Sequence, residues 1–232
     1  MIELFPEGFE EHDRADGLEL AAYTDAAGEE RLWAAFGRVA AEDVPRGWEE
    51  RWRDFHRPVR VGDLWVGPPW EAAPPGVEAI VVDPGRAFGT GGHATTRLCL
   101  ELLAAAERGS LLDVGCGSGV LAIAAVRLGF GPVLAVDHDA SAVEATRRNA
   151  EANGVALECR RADAFAEPLP AADVAVVNIS REAAEGVLPR LDVDLVLTSG
   201  YLERDRPSAP GFRPERRLTH EGWAADVLRR EG

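Results

Sequence analysis

The chain has 232 residues, of which 46% are hydrophobic, and it carries a formal net charge of −15. This length suffices for one α/β domain of about 150 residues and a small additional module. A chain this acidic is a poor general binder of phosphate backbones, since that binding depends on Lys and Arg. The expected partners are therefore basic proteins or small molecules, and direct binding of nucleic acid is not expected.

The sequence does not indicate a membrane protein, a secreted protein or a metalloprotein. It has no apolar run of about 18 residues and its N-terminus is acidic, so neither a transmembrane helix nor a signal peptide is predicted. Cys99, Cys116 and Cys159 show no paired spacing, which is typical of the reducing cytoplasm. The histidines have no metal-ligand spacing, so no metal site is predicted.

The first part of the chain predicts a small α+β region. Residues 17–24 alternate like a strand, residues 28–40 have the period of an amphipathic helix, and residues 48–56 fit a second short helix. Residues 59–68 predict a hairpin that turns at a Gly-Asp pair. The proline-rich residues 68–76 indicate a linker or domain edge.

After residue 77 strands and helices alternate, which predicts a mostly parallel sheet with helices on both faces. The predicted strands are residues 78–84, 110–115, 132–137, 156–161, 173–179 and 194–200. The predicted helices are residues 95–109, 119–129, 141–154 and 181–191. Residues 215–230 predict a closing antiparallel hairpin that turns at Glu221 and Gly222.

Two of these helices carry recognisable end signals. The helix at residues 95–109 begins with Thr95 and Thr96, either of which can cap it, and Gly109 can end it. The helix at residues 141–154 is predicted to be capped by Ser141 and ended by Gly154.

The strongest local signal lies at residues 111–125, where a hydrophobic strand ends at Asp113 and a glycine loop leads into a helix. Gly115, Gly117 and Gly119 form this loop. Glycines let a backbone approach a ligand closely, and the first amides of a helix attract a negative group. A nicotinamide site requires Gly-x-Gly-x-x-Gly, whereas the spacing here is Gly-x-Gly-x-Gly. We therefore predict a bound ligand at this loop, with a tight strand–helix turn as the alternative.

Polar residues follow the next predicted strands. Asp137 can accept both ribose hydroxyls of a nucleoside, or it can cap the following helix, for which Asp139 is better placed. Asp163 can accept a hydrogen bond from an adenine amino group, or serve as a plain turn residue. Asn178 ends an apolar strand at the edge where open α/β sheets bind ligands, and its amide can hold a substrate amine but cannot act as a base.

A second glycine-rich segment precedes the first of these helices. Residues 83–96 read Asp-Pro-Gly-Arg-Ala-Phe-Gly-Thr-Gly-Gly-His-Ala-Thr-Thr. Two glycine-rich turns this close together in the chain indicate one ligand held from two sides.

The order of glycine loop, ribose acid, adenine acid and strand-end asparagine resembles a methyltransferase that uses S-adenosylmethionine and has the Rossmann-like fold. Residues 83–96 are similar to the signature of the ribosomal protein L11 methyltransferase family, the PrmA type, which reads Asp-Pro-Gly-x-Ala-Phe-Gly-Thr-Gly-x-His-x-Thr-Thr. The Asn-Ile-Ser at residue 178 and the Ser-Gly-Tyr-Leu at residues 199–202 also resemble turns of that family. The resemblance covers residues 48–200 well.

The resemblance implies that residues 89–96 wrap the methionine end of S-adenosylmethionine opposite the Gly115 loop. The predicted cofactor-binding residues are Phe88, Gly89, Gly91, Thr96, Gly115, Gly117, Gly119, Asp137, Asp163 and Asn178. The predicted catalytic residues are Asn178, which would position substrate or cofactor, and His93, which would either carry a proton or bind the glycine loop.

The chain departs from the family pattern at two places. Its first residues look like the middle of the family's small ferredoxin-like recognition domain, so either the start codon is assigned too late or that domain is reduced. Residues 201–212 lack the period of a helix that the family has there. The predicted regions are a reduced, truncated α+β substrate-recognition region at 1–57, a linker with a hairpin at 58–76, and the methyltransferase domain at 77–232.

The resemblance implies transfer of methyl groups to amino groups of a basic large-subunit ribosomal protein, on lysine side chains, the N-terminal amine or both. Two alternatives stay open. The same fold can act on a small molecule or another protein, which the short N-terminal region motivates. A cofactor-binding module without turnover is the other, and the intact motifs argue against it.

Overall fold

The computed structural model describes residues 10–14, 17–21, 26–37, 39, 58–83 and 92–231. By contacts within the chain it divides into one unit at residues 1–50 and another at residues 51–232. The predicted helix at residues 48–56 lies outside the described residues.

The first unit contains an antiparallel strand pair and a helix. Strand β1 (Glu10–Arg14) pairs with β2 (Gly17–Ala21), and helix α1 follows at Ala26–Phe36. The predicted strand and helix are thus both present, each shorter than predicted. Strand β1 was not predicted, because its polar run Glu-Glu-His-Asp-Arg has no apolar alternation.

The second unit begins with a separate three-stranded sheet. Strands β3 (Val59–Val61) and β4 (Leu64–Gly67) form the predicted antiparallel hairpin around Gly62. Strand β5 (Glu78–Val81) pairs with β4 in parallel. The prediction that β5 belongs to the large parallel sheet is therefore wrong.

The structure gives a physical reason for this position of β5. The backbone amide of Val81 donates to the side chain of Asn153 at 2.8 Å, and the carbonyl of Val81 accepts from the same carboxamide at 2.6 Å. A side chain therefore satisfies the backbone groups that a further strand would otherwise pair with.

The large sheet has the strand order β11-β12-β10-β9-β6-β7-β8. Its strands are β6 (Leu111–Val114), β7 (Val133–Asp137), β8 (Glu158–Arg161), β9 (Ala172–Asn178), β10 (Val193–Leu202), β11 (Phe212–His220) and β12 (Trp223–Arg230). The first five run parallel to one another, whereas β12 is antiparallel to both β10 and β11. The mostly parallel sheet and its closing hairpin are confirmed.

The helices of this unit cover the sheet on both faces. They are α2 (Ala94–Ala105), α3 (Val120–Arg127), α4 (Ala140–Ala152) and α5 (Arg181–Val187), the last followed by a 3-10 turn at Leu188–Arg190. One core contains α2, α3, α4 and the small sheet, and the other contains α5. Parallel strands that are buried on both faces are continuous apolar runs in the sequence. For this reason their positions could be predicted from the sequence.

Two predicted helix caps are wrong. His93, rather than Thr95 or Thr96, caps α2, and both threonines lie buried in its first turn. The helix ends at Ala105, before the predicted stop at Gly109. At the N-terminal end the His93 side chain accepts from the otherwise unpaired amide of Thr95, whereas at the C-terminal end the amide of Ala106 donates to the carbonyl of Leu103.

The cap of α4 is Asp139, whose carboxylate accepts from the backbone amide and the hydroxyl of Ser141, each at 2.8 Å. Ser141, the predicted cap, is the second residue of the helix. Gly154 has a φ of +61° just after the end of α4, which confirms it as the stop. The absence of a helix between residues 203 and 211 is also confirmed.

Candidate functional site

The strand order reverses direction between β6 and β9. From β6 the chain continues to β7 and β8 on one side, and then returns to β9 on the other side of β6. Open α/β sheets bind ligands at such a reversal, outside the carboxyl ends of the strands. Gly115 follows β6 and Asn178 ends β9, so the fold brings these two predicted site residues to this position.

The glycine loop after β6 is held in a conformation that favours glycine. Gly115, Gly117 and Gly119 have φ values of +76°, +54° and +82°. A Cβ atom on Gly115 would lie 2.4 Å from Cγ2 of Ile179, and one on Gly119 would lie 2.8 Å from Cγ2 of Thr146. At these two positions glycine makes room for the protein's own atoms. Close approach of the loop to a ligand stays a prediction.

Asp137 lies at the end of β7, beside the glycine loop. Its carboxylate accepts from the amide of Gly117 at 3.1 Å and from the amide of Asp139 at 2.9 Å, and the residue is 9% exposed. Since Asp139 caps α4, the alternative that Asp137 caps this helix is wrong. Two backbone amides therefore fix the orientation of the Asp137 carboxylate next to the loop.

A further acid lies behind the loop. Asp113, which is 1% exposed in β6, accepts from the amide of Ala122 in the first turn of α3 at 3.1 Å. Burial raises the pKa of Asp113 to about 7; the Ala122 hydrogen bond opposes this shift and the charge of Asp137 adds to it. The hydrogen bond between Asp113 and Ala122 connects β6 to α3 across the glycine loop. The negative charge of Asp137 disfavours ionisation of Asp113.

Asp163 follows β8, next to the end of β7. The amide of Ala162 donates to the carbonyl of Asp137 at 2.9 Å, which ties the two strand ends together. The Asp163 side chain accepts from the amide of Phe165 at 2.8 Å, so the residue does form a turn. Asp163 is exposed and its second carboxylate oxygen has no hydrogen bond to a described residue, which leaves it available to a ligand.

Asn178 lies half-buried at the end of β9, opposite Ser199 of β10. Within the described part of the chain, its carboxamide has no hydrogen-bond partner. A half-buried amide with free donor and acceptor atoms can bind polar ligand atoms at the reversal of the sheet.

The start of α2 lies at the same edge of the large sheet. The Nδ1 atom of His93 accepts from the amide of Thr95 at 3.3 Å and lies 2.8 Å from its hydroxyl. The ring of His93 packs edge-to-face on Trp223, at 4.7 Å between centroids, and Trp223 pairs with Leu202 at the end of β10. His93 therefore has a capping role at Nδ1, whereas Nε2 keeps the predicted proton role possible. Thr96 is buried one residue further into α2.

Three predicted cofactor contacts, Phe88, Gly89 and Gly91, lie outside the described residues. The structure does describe Asp83, which precedes them. The amide of Asp83 donates to the side chain of Asn149 at 3.1 Å, and the same carboxamide donates to the carbonyl of Ser118 in the glycine loop at 2.8 Å. One side chain of α4 thus joins the start of the second glycine-rich segment to the first loop.

Asn149 and Asn153 were missed by the sequence-based prediction. Both are buried, at 3% and 8% exposure. Asn149 lies on the face of α4 that packs against the core, and Asn153 is the C-terminal cap of this helix. The signal was available, because two asparagines four residues apart occupy positions of the apolar stripe of this helix. Buried carboxamides in such positions need backbone partners, and here these are Val81, Asp83 and Ser118.

The described residues contain no cluster of three or more His, Cys, Asp and Glu side chains that could hold a metal ion. They also contain no helix with the length and apolar character needed to cross a membrane. The described cysteines are all free and buried.

Comparison with known proteins identifies the family of this chain. The family model for "Ribosomal protein L11 methyltransferase (PrmA)" matches residues 9–203. The chain belongs to this family. Among PrmA-family relatives, a ribosomal protein L11 methyltransferase of Pelobacter propionicus is 42% identical over 214 residues, which are 83% of this chain and 68% of the relative. One of Yersinia pseudotuberculosis is 41% identical over 162 residues, 68% of this chain and 55% of the relative.

A solved structure of the same family confirms the fold. The ribosomal protein L11 methylase of Lactobacillus delbrueckii subsp. bulgaricus has a TM-score of 0.69 and 28% identity, covering 76% of this chain and all of that one. The predicted Rossmann-like methyltransferase fold is therefore confirmed. The aligned regions span 68% and 55% of the two curated PrmA-family relatives, so this chain corresponds to part of their length.

Proposed function

We propose that this chain transfers methyl groups from S-adenosylmethionine to amino groups of ribosomal protein L11. The observation that carries the proposal is the reversal of the sheet at β6 and β9, which places the glycine loop and Asn178 side by side in a PrmA-family chain. The net charge of −15 complements a basic ribosomal protein substrate. Such a substrate agrees with the cytoplasmic location predicted from the cysteines.

The groups at this edge fit S-adenosylmethionine. Asp137 offers oriented carboxylate oxygens for ribose hydroxyls, and Asp163 offers a free oxygen for the adenine amino group. The carboxylates of Asp137 and Asp163 complement the positive charge of a sulfonium. Thr96 and Asn178 lie at the same edge and are proposed to bind the methionine end. When bound, S-adenosylmethionine supplies a methyl group whose bonding electron pair stays on sulfur after transfer.

The chain's own task is to hold a neutral amine close to that methyl group and in line with it. A lysine with a pKa near 10.4 costs roughly 4.6 kcal/mol to deprotonate at pH 7, whereas an α-amine near 7.8 costs about 1 kcal/mol. Asn178 can accept a hydrogen bond from the amine and thereby orient its lone pair, but it cannot take up the proton. His93 is exposed at this edge and is proposed as a proton carrier.

Radiolabelled methyl transfer to purified, unmethylated L11 tests the proposal. The expected result is incorporation into L11, and loss of incorporation when the amines of L11 are first acetylated. Assembled 50S subunits provide the second substrate, in which label in ribosomal RNA would contradict the proposal. Equal incorporation into native and acetylated L11, or none into either, would reject an amine acceptor on this protein.

A further inference from the structure

Gly115 of the glycine loop and Gly200 of β10 lie against Ile179, the residue after Asn178. A Cβ atom on Gly115 would lie 2.4 Å from Cγ2 of Ile179, and one on Gly200 would lie 1.8 Å from its carbonyl oxygen. Real Cβ atoms essentially never come this close to another atom. The side chain of Ile179 therefore rests on the glycine loop, while its backbone rests on β10.

Gly200 occupies an irregularity in β10. The pairing of β10 with β12 shifts register between Ser199 and Tyr201, and Gly200 between them has a φ of +104°. Ser199, the residue before the irregularity, is the parallel partner of Asn178. The β-bulge thus bends β10 where it passes Ile179.

This arrangement decides where the Asn178 side chain can be. Its carboxamide has no hydrogen bond to any described residue, so side-chain contacts of that kind do not fix it. The position of this carboxamide therefore follows from the backbone of Asn178 and Ile179. Ile179 is confined on two sides, because its side chain lies against Gly115 and its backbone lies against Gly200.

We propose that Gly200 and Ile179 are positioning residues for methyl transfer, because together they set the distance between the Asn178 carboxamide and the glycine loop. The inference rests on the proposed function insofar as methyl transfer is its readout. Neither residue needs to touch the substrate.

The variant Gly200→Ala tests this, with Gly211→Ala as the matched control. Gly211 has a φ of +81° but no atom within 4 Å of an added Cβ, so the control carries a similar backbone strain without the collision. Catalytic turnover is expressed per S-adenosylhomocysteine-binding site counted by calorimetry, so that unfolded molecules do not lower it. A displacement of Asn178 by about 1 Å predicts a kcat for L11 lowered about 10- to 100-fold in Gly200→Ala. Gly211→Ala should stay close to the wild type, and equal kcat in the two variants would overturn the proposal.

Should Gly200→Ala fail to fold, Ile179→Ala replaces it, since it removes atoms and adds no collision. The same loss of kcat per binding site is expected, and an unchanged kcat would overturn the proposal.

A readout independent of activity separates this inference from the proposed function. The side-chain amide resonance of Asn178, identified by its loss in Asn178→Ala, should shift in Gly200→Ala and stay in place in Gly211→Ala. If the wild type fails to methylate L11, the proposed function fails, but the resonance still decides the positioning role: no shift in Gly200→Ala rejects it.

Discussion

Replacement of Asp137 by asparagine tests the central contact of the proposed cofactor site. Each carboxylate oxygen has two acceptor positions, and the amides of Gly117 and Asp139 occupy one position on each oxygen. The Nδ1 atom of the exposed His138 also lies 3.4 Å from Oδ1 of Asp137, so one acceptor per oxygen is left for the two ribose hydroxyls once the His138 ring turns away. Asp137→Asn replaces one oxygen by a donor and removes the charge from the other.

The expected loss follows from these contacts. A hydrogen bond to a charged group contributes about 1.5 to 3 kcal/mol, and a neutral one about 1 kcal/mol. Losing one bond and weakening the other predicts a loss of about 2 to 5 kcal/mol, or roughly 30- to 4,000-fold in the Kd of S-adenosylhomocysteine. Isothermal titration calorimetry with this unreactive product measures the change directly.

Asp139→Asn is the matched control, because it changes the same kind of side chain two residues away. Asp139 caps α4 through Ser141, and these hydrogen bonds lower the pKa of its carboxyl group. Since asparagine caps a helix about as well as aspartate, the control is expected to keep the cap of α4 and to leave the Kd within about twofold of the wild type. An unchanged Kd in Asp137→Asn, or an equal loss in Asp139→Asn, would refute the assignment of Asp137 to the ribose.

Further expectations concern pH, the closing hairpin and nucleic acid. Because the pKa of Asp113 is about 7 in the folded chain, against an ordinary 3.8, this group stabilises the fold below pH 4 and loses that contribution as pH rises through 7. The free energy of unfolding, measured in urea, should therefore decline less steeply between about pH 5 and 8 for Asp113→Asn than for the wild type. Identical slopes in the two proteins would contradict this expectation. Asp226, 4% exposed, binds Arg217 through both oxygens at 2.8 and 2.7 Å. Asp226→Ala should lower the free energy of unfolding by about 3 to 5 kcal/mol. Glu215→Ala, at a more exposed ion pair, should lower it by about 1 kcal/mol or less. Similar losses in the two variants would contradict a stabilising role for the buried pair. Finally, ribosomal RNA fragments should not bind at about 150 mM salt, and a gel shift at micromolar protein would disprove this expectation.

Local patterns in the sequence were sufficient to predict most strands and helices of the second unit. Four of the five parallel strands are largely apolar runs, whereas the edge strand β8 is mostly polar. The hairpin at Glu221 and Gly222 has a turn whose two residues have φ values of +49° and +79°. These are properties of a few consecutive residues, so the sequence displays them directly.

Features that depend on distant partners were not predictable in this way. Strand β5 has the same apolar pattern as the others, but its neighbours are β4 and the side chain of Asn153, 72 residues away from Val81. The contacts of Ile179 with Gly115 and Gly200 likewise join three segments that are far apart in sequence. A pattern can show that a residue is apolar or small, but it does not specify which residue it meets.

The pairing of β4 with β5 also limits where the chain can be divided. Residues 68–76 read as a linker, yet they join two strands that are hydrogen-bonded from Leu64 opposite Glu78 to Gly67 opposite Val81. Val66 and Ile80, on these strands, are both buried in the core that they share with α2. A protease that cuts within 68–76 would therefore produce two fragments that remain associated, and a recombinant fragment beginning at residue 77 would expose that core. An autonomous folding unit has to begin before Val59.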